Sequence, residues 1–209
     1  VMPGEEPGPD QIIASNAFAL KAMAEAAGAE TRLLPIARDN DAALRAVFGL
    51  ATGADIIVTI GGASVGDHDL VGKVAGELGL EAAFWKIAMR PGKPLMAGRM
   101  MGAAMLGLPG NPVSAIVTGH LFLLPLIRAM QGDPSPLPPL HSATLGTDLP
   151  ANGPRAHYMR ARLSSTSISP FDQQDSALLT ILTEANALLL RPVADGPRKA
   201  GDKVPYLPL

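Results

Sequence analysis

The sequence predicts an α/β domain with a mostly parallel sheet over residues 1–133, followed by a small all-β module over residues 134–209. In the first part, segments with helical spacing of apolar residues alternate with short apolar runs that lack polar alternation. Such runs are typical of parallel strands covered on both faces, and the alternation implies right-handed crossovers. From Gly132 onward, a proline-rich stretch leads into short strand-like runs separated by turn residues.

The elements of the first part follow from caps, stop signals and apolar spacing. A helix is predicted from a cap at Asp10 to the stop signal Gly28, and others at 41–50, about 69–78 and from Asn111 to Met130. Strands are predicted at 30–37, 56–60, 82–89, 95–97 and 103–108. In the second part, strands are predicted at 141–147, 156–163, 187–192 and 203–207, with a helix at 176–184.

Composition excludes several classes of function. Apolar residues make up 47% and the net charge is −2, so the chain folds around a core and offers no global field for nucleic acid. The absence of cysteine excludes disulfides and thiolate catalysis, and it fits a cytoplasmic protein. No membrane partner is expected, because the apolar stretch 115–130 is broken by Gly119, His120 and Pro125. The acidic, proline-rich N-terminus is not a signal peptide, and we expect the chain to start inside a longer protein.

A glycine-rich loop follows the predicted strand 56–60. Residues 61–66 read GGASVG, and they offer backbone N–H groups and the Ser64 hydroxyl at a strand-to-helix junction. Such junctions attract anions, phosphate in particular. The loop matches neither the GxxxxGK[ST] phosphate loop nor the GxGxxG dinucleotide fingerprint. Taken alone, a structural tight turn explains it as well as a phosphate site does.

Two further loops follow strands and suit anions. In residues 90–94 (RPGKP), prolines on both sides restrain Lys93, which lowers the entropy that a free lysine loses on binding; a solvated turn lysine is the alternative. In residues 110–114 (GNPVS), Asn111 suits an N-cap and Pro112 the first helical position, and a well-capped helix is the alternative. Loops at the carboxyl ends of parallel strands line one crevice, so we expect all three loops to meet.

Carboxylates accompany these loops and favour a cation. Asp67 and Asp69 follow the glycine-rich loop, and Asp39 precedes the helix 41–50. Beside a phosphate these groups would repel it unless Mg²⁺ lies between them, although any one such aspartate is more often a helix cap than a metal ligand. The four histidines show no ligand spacing, and no Ser/His/Asp triad or zinc pattern is present. The residues thus predict metal-assisted handling of a phosphorylated small molecule.

Three segments together resemble the molybdopterin molybdenumtransferase family, the MoeA/gephyrin E-domain family. They are DIIVTIGGASVGDHD at 55–69, MRPGKP at 89–94 and GLPGNPVSA at 107–115. IIASN at 12–16, Arg38-Asp39 and AGDKV at 200–204 also fit the family's pattern. The resemblance implies a three-layer, MogA-like molybdopterin-binding domain over 1–133 and a C-terminal β-barrel over 134–209. It further implies Mg²⁺-dependent insertion of molybdate into adenylylated molybdopterin with release of AMP.

Carried over position by position, the resemblance implies a set of site residues. Catalytic roles fall on Asp39, Asp69, Ser64 and Lys93. Pterin, phosphate or molybdate binding falls on Gly61, Gly62, Ser64, Gly66, Pro91, Gly92, Lys93, Gly110, Asn111 and Ser114. Metal binding falls on Asp69 and Asp67. The implied partners are the pterin substrate, a second copy in the full-length protein and a molybdopterin adenylyltransferase.

The sequence departs from the family's pattern at its start and at two positions. The first strand, with its Gly-Asp-Glu-Leu-like motif, and two N-terminal domains are missing, so this fragment is not expected to turn over alone. Asn40 stands where an aspartate is often seen, and Ser176 lacks the usual preceding glycine. Two alternatives stay open: an adenylyltransferase of the MogA kind, and a non-catalytic scaffold module like that of gephyrin.

Overall fold

The computed structural model describes residues 1, 3–9, 13–62 and 70–209. Its first part contains the helices α1 (Asn16–Ala26), α2 (Asp41–Leu50), α3 (Leu70–Glu77), α4 (Pro112–Thr118) and α5 (Leu124–Met130). It also contains the strands β1 (Ile56–Ile60), β2 (Glu81–Trp85), β3 (Met89–Arg90), β4 (Met96–Met100) and β5 (Ala103–Leu108). Four of these strands form one sheet in the order β1-β5-β4-β2.

Helices cover both faces of this sheet, which confirms the predicted three-layer arrangement. Met105 of β5 packs in one core cluster with Phe48 of α2 and Val74 of α3. The next residue, Leu106, packs on the opposite face with α1 and with the helical stretch that follows β5. Because successive strand side chains point to opposite faces, a strand buried on both sides must be apolar at every position. That requirement explains the uninterrupted apolar run of β5.

The sheet is mixed, whereas the sequence predicted a mostly parallel one. Among the described strand pairs of this sheet, β1–β5 is parallel, whereas β5–β4 and β4–β2 are antiparallel. The cause is a two-residue hairpin between β4 and β5, in which Met101 and Gly102 have φ of 54° and 82°. Positive φ at both central positions is the geometry of a type I′ turn, which reverses the chain tightly. Two short apolar pieces therefore form a hairpin without a helical crossover.

The strand predicted at residues 30–37 is wrong, because the structure has no strand there. Leu34 and Ala37 still pack against the core beside α2 and α3. Pro35 lacks an N–H and cannot contribute to a strand ladder. The segment thus packs against the core as a strand would, but it does not join the sheet formed by the described strands.

Several sequence predictions for helices are confirmed. The helix α2 begins after Asn40, whose Oδ1 accepts a hydrogen bond from the Ala43 N–H at 2.8 Å. Gly28, with φ of 87°, follows the end of α1 as the predicted stop signal. The predicted cap Asp10 lies outside the described residues, and α1 begins only at Asn16.

One long helical stretch runs from Pro112 to Met130, with a π-helical segment at Gly119–Leu123 joining α4 to α5. By length and composition this stretch is able to cross a membrane, and half of its most apolar window is buried in the protein. Ala115, Leu123 and Ile127 pack against α1 and the first sheet. Because the core of the fold uses its apolar side chains, we interpret the stretch as a core helix.

The second part consists mainly of strands, as predicted. It contains β6 (His141–Thr144), β7 (Ala156–Leu163), β8 (Ile168–Pro170), β9 (Ala187–Arg191) and β10 (Lys203–Pro208), with the short helix α6 (Leu179–Glu184). The sheet order is β3-β7-β9-β10-β6, and β8 pairs with β7. A bridge between Leu145 and Ile168 brings the end of β6 back to β8, around a core that includes Ala161, Leu189 and Val204. The sheet therefore curls so that one isolated bridge joins residues at its two ends.

The second part contains a buried ion-pair cluster. Asp195 accepts hydrogen bonds from Arg191 Nε at 2.5 Å and from Arg198 Nη2 at 2.6 Å. Arg191 is only 3% exposed, and its Nη2 also donates to the carbonyls of Pro150 and Gly196.

We expect Asp195→Asn to lower the free energy of unfolding by about 3 kcal/mol, because it leaves the buried Arg191 charge without its carboxylate. Urea unfolding at pH 7 measures the loss. Asp148→Asn is the control, since Asp148 pairs with Lys199 on the surface and should cost under about 1 kcal/mol. Arg198 and Arg191 lower the pKa of Asp195, so the difference should vanish as the pH falls through that lowered value. Equal losses in the two variants would contradict the assignment.

Candidate functional site

The glycine-rich loop and the Asn111 loop leave neighbouring parallel strands and touch each other. The Gly61 N–H donates to the Leu108 carbonyl at 2.9 Å, which extends the β1–β5 pairing by one bond. A Cβ added to Gly110 would lie 3.4 Å from the Gly61 Cα, so the two glycines face one another closely. Asn16 Nδ2, at the start of α1, donates to the Gly110 carbonyl at 2.7 Å. The predicted meeting of these two loops is confirmed.

Gly62 is required where it stands for two reasons. Its φ is 72°, and a Cβ there would overlap the Val71 Cγ2 of α3. The backbone of Gly62 therefore lies directly against Val71 of α3. The predicted site residues Ser64, Gly66, Asp67 and Asp69 belong to residues 63–69 and lie outside the described residues.

The loop of residues 90–94, the lysine loop, follows β3, which is a strand of the second sheet. β3 pairs in parallel with β7, with Arg90 opposite His157, and the Ala156 N–H donates to the Ala88 carbonyl at 2.8 Å. The other end of the loop is bonded to the chain that precedes β3: the Ile87 N–H donates to the Lys93 carbonyl at 3.1 Å. The sequence predicted one strand over residues 82–89, but Lys86, with φ of 70°, interrupts it and redirects the chain. That break transfers the lysine loop to the second sheet.

The N-terminus of α4 is capped by the second part of the chain. Asn111 is the N-cap residue and Pro112 occupies the first turn, as predicted, but the Asn111 side chain makes no capping bond. Its Nδ2 donates instead to Ser176 Oγ at 2.9 Å, and the Ser176 carbonyl accepts from the Val113 N–H at 3.2 Å. Ser114 lies buried in the first turn. Residue 176 thus satisfies an orphan helix N–H that the sequence assigned to Asn111.

A buried arginine holds the segment that contains Ser176. Arg160 of β7 is 1% exposed, and its Nη1 donates to the Asp175 carbonyl at 2.7 Å. Gln174 bonds the same strand in both directions: its Oε1 accepts from the Arg160 N–H and its Nε2 donates to the Arg160 carbonyl. Residues 174–176 are therefore fixed to β7 at one end and to α4 at the other.

These loops line one cleft of about 860 Å³ between the two parts of the chain. Eight predicted site residues line it: Gly61, Gly62, Pro91, Gly92, Lys93, Gly110, Asn111 and Ser114. The lining also contains residues that the sequence did not assign to the site: Arg90, Pro94, Pro109, Arg155, His157, Gln174 and Ser176. The volume suits a small-molecule ligand. Sequence order gave no signal for Arg155 and His157, because only the β3–β7 pairing brings them to the cleft.

The cleft is cationic. Arg90, Lys93 and Arg155 line it, and within the described part of the chain none of the three forms a salt bridge. His157 is 4% exposed and adds no charge at neutral pH, because burial, followed by the charge of Arg90 and other arginines, lowers its pKa to about 3. Guanidinium and ammonium groups without acidic partners are suited to oxyanions.

The predicted carboxylates are not brought to the described wall of the cleft. Asp39 is exposed immediately before α2 and is absent from the lining. Lys73 of α3 and Asp41 of α2 are joined at 3.0 Å, which links α3 to the first residue of α2, two residues after Asp39. Across the ranges that the structure describes, no group of three or more His, Cys, Asp or Glu residues could hold a metal. Asp67 and Asp69, the other predicted carboxylates, lie outside the described residues.

Comparisons with known proteins match both parts of the chain. Residues 1–129 match the family described as a probable molybdopterin binding domain, and residues 142–209 match the MoeA C-terminal region, domain IV. The fold and these two matches thus define the class: a probable molybdopterin binding domain joined to a MoeA C-terminal region. The chain belongs to the MoeA family of molybdopterin molybdenumtransferases.

Curated relatives agree with this assignment. A molybdopterin molybdenumtransferase of Nostoc sp. is 34% identical over 211 residues, covering 96% of this chain and 48% of that protein. Molybdopterin molybdenumtransferase 2 of Mycobacterium tuberculosis is 35% identical over 197 residues, covering 90% of this chain and 48% of that protein. The chain spans about half the length of these relatives.

Solved structures show the same architecture. The molybdopterin biosynthesis MoeA protein of Pyrococcus horikosii superimposes with a TM-score of 0.82 at 28% identity. The match covers 100% of this chain and 51% of that protein. The fold class predicted from the sequence, a MogA-like α/β domain followed by a domain of strands, is confirmed at this level.

We expect Gly92→Ala to distort the lysine loop, because Gly92 has φ of 109° and an added Cβ would lie 2.5 Å from Thr118 Cγ2. The free energy of unfolding should fall by about 1–3 kcal/mol, which is typical of overpacking at a strained position. Thermal or urea unfolding measures it. Gly196→Ala is the control, since its Cβ would meet nothing within 4 Å. An unchanged Gly92→Ala protein would show that the loop is not held against α4.

We expect His157 to make the protein less stable in acid. Its pKa is about 3 in the folded chain and near 6.5 in the unfolded chain, so only the unfolded chain takes up the proton between these values. The free energy of unfolding should therefore fall as the pH drops below about 6.5, by up to about 1.4 kcal/mol per unit. Comparing the pH dependence of urea unfolding between the wild-type chain and His157→Gln isolates the contribution of His157. Parallel profiles would contradict a buried neutral imidazole.

Proposed function

We propose that this chain forms the molybdopterin-binding and C-terminal portions of an enzyme that inserts molybdate into adenylylated molybdopterin and releases AMP. The observation that carries the proposal is the convergence of three predicted loops on one cationic cleft, with a fourth wall supplied by the second part of the chain. Molybdate, phosphate and pyrophosphate are oxyanions, and such a cleft offers the donors that they need. The relatives' name supports the choice of substrate.

Each loop has a distinct task in the proposed site. Gly61, Gly62 and Gly110 let the backbone approach the ligand closely, and we assign the same task to Gly66 with the hydroxyl of Ser64 beside it. Asn111 and Ser114 bind at the N-terminus of the long helical stretch, whose dipole favours anions. Pro91 and Gly92 shape the loop that presents Lys93, and Lys93 neutralises the charge that the oxyanion brings.

We assign the carboxylates to cation handling and catalysis. Asp69 and Asp67 would hold Mg²⁺ together with ligand phosphate oxygens, and Asp39 would act as the second functional carboxylate from the neighbouring start of α2. When bound, Mg²⁺ would neutralise phosphate charge beside these groups. The ion pair between Lys73 and Asp41 supports the placement, because it links α3 to the first residue of α2, two residues after Asp39.

The remaining predictions concern organisation. We propose that the chain divides near residue 133 into two domains, with β3 as the one strand of the first that pairs in the second sheet. We further propose that the full-length protein is a cytoplasmic homodimer and receives its pterin from a molybdopterin adenylyltransferase.

The second part of the chain discriminates between candidate functions. An adenylyltransferase of the MogA kind would need only the α/β domain, yet here Arg155, His157, Gln174 and Ser176 complete the cleft. A scaffold module would need no unpaired basic side chains in its cleft. Here Arg90, Lys93 and Arg155 have no acidic partner among the residues described. Both observations favour the insertion reaction.

Calorimetry of this chain with adenylylated molybdopterin tests the cleft. We expect Lys93→Ala to weaken binding about tenfold to a hundredfold, since it removes a charge-assisted contact to an oxyanion. Lys203→Ala is the matched control, because Lys203 contacts Thr144 and does not line the cleft. Chelation of divalent cations should weaken binding of the wild-type chain if the aspartates hold Mg²⁺. Undiminished affinity in Lys93→Ala would refute the pocket assignment.

The reaction itself is tested in the full-length protein. We expect release of AMP from adenylylated molybdopterin to depend on added molybdate, because insertion of the oxyanion is coupled to loss of the nucleotide. Chromatography of the nucleotide products measures it. Consumption of ATP to form the adenylylated pterin would instead support the adenylyltransferase alternative, and retention of bound pterin without any turnover would support the scaffold alternative.

A further inference from the structure

His157 and Arg90 form a contact across the two parts of the chain. They face each other in the β3–β7 pairing, and Arg90 Nη2 lies 3.0 Å from His157 Nδ1. His157 is 4% exposed, while Arg90 is exposed and lines the cleft. A buried side chain thus holds the guanidinium of an exposed one at the wall of the proposed binding site.

The chemistry of the two groups fixes the state of the imidazole. A guanidinium has only donors, so Arg90 Nη2 must donate and His157 Nδ1 must accept. The proton of the neutral ring therefore sits on Nε2. The groups around the ring agree: Arg90 of β3, Arg155 just before β7, Arg160 of β7 and Arg191 of β9 all oppose a positive imidazole.

The consequence lies in the charge that Arg90 keeps. A carboxylate in place of His157 would also hold a guanidinium, but it would pair with it and cancel its charge. A neutral imidazole restrains Arg90 and leaves its full positive charge available to the cleft. Lys93 and Arg155 line the same cleft, so the restrained guanidinium adds to a shared positive field.

We propose that His157 is a positioning residue that holds Arg90 toward the cleft, uncompensated, to receive a tetrahedral oxyanion. The proposal rests on the function proposed above and adds a residue from the second part of the chain, whose role is to act through Arg90. Its physical basis is preorganisation: a long side chain restrained before binding loses less freedom when the ligand arrives.

A double-mutant cycle tests this role in the 209-residue chain. Calorimetry would measure the affinity for molybdate and, in a separate arm, for inorganic pyrophosphate, which distinguishes the two sources of oxyanion. We expect His157→Leu to weaken binding about fivefold, the cost of immobilising one flexible side chain. His157→Gln, which keeps a neutral acceptor, should stay within about twofold of wild type. In an Arg90→Ala background, His157→Leu should have no further effect.

The outcomes separate the two proposals. If the wild-type chain binds neither oxyanion, the proposed function fails; if it binds and His157→Leu binds equally well, only the positioning role fails. A fivefold loss that persists in the Arg90→Ala background would show a structural role for His157 and overturn the inference. Imidazole ¹⁵N spectra at pH 7 give a readout free of ligand: a neutral ring with its proton on Nε2 is expected, and a proton on Nδ1 would contradict the contact.

Discussion

The pairing of β3 with β7 is the interaction on which the site depends. It involves two residues, Met89 and Arg90, and one further bond from Ala156 to Ala88, yet it removes the lysine loop from the first sheet and anchors it to the second. Backbone hydrogen bonds to a strand of the second sheet are a rigid support. The loop that presents Lys93 is thereby held from both sides, and the two parts of the chain share one cleft.

In the second contact between the parts, a residue of the second part stabilises an element of the first. Residues 174–176 leave the second sheet, fixed by the buried Arg160, and Ser176 caps the helix that begins at Pro112. Each part therefore supplies the other with a stabilising group at the cleft. Because hydrogen bonds join the two parts at both contacts, a change in either part should be felt at the cleft.

Local chemistry predicted much of the fold. The bounds of α2 and of β1, β5 and β7 followed from caps, apolar runs and stop signals, which act over a few residues. The predictions of secondary structure failed where the pairing of strands decided the structure. The strand expected at 30–37 has the right burial without a described partner, and the antiparallel hairpin at Met101 depends on a positive φ that the residue type does not announce.

The sequence by itself determined which loops line the cleft: the glycines at 61 and 62, Lys93 between its prolines, and Asn111 with Pro112 were all recognisable from residue type and spacing. It could not determine what completes the cleft. Arg155, His157 and Ser176 lie more than forty residues beyond the last of those loops, and only the pairing of β3 with β7 and the cap on α4 bring them there. The physical reason is that hydrogen bonds between strands can join residues at any separation in the sequence. Secondary-structure propensity and helix capping, in contrast, act only between near neighbours.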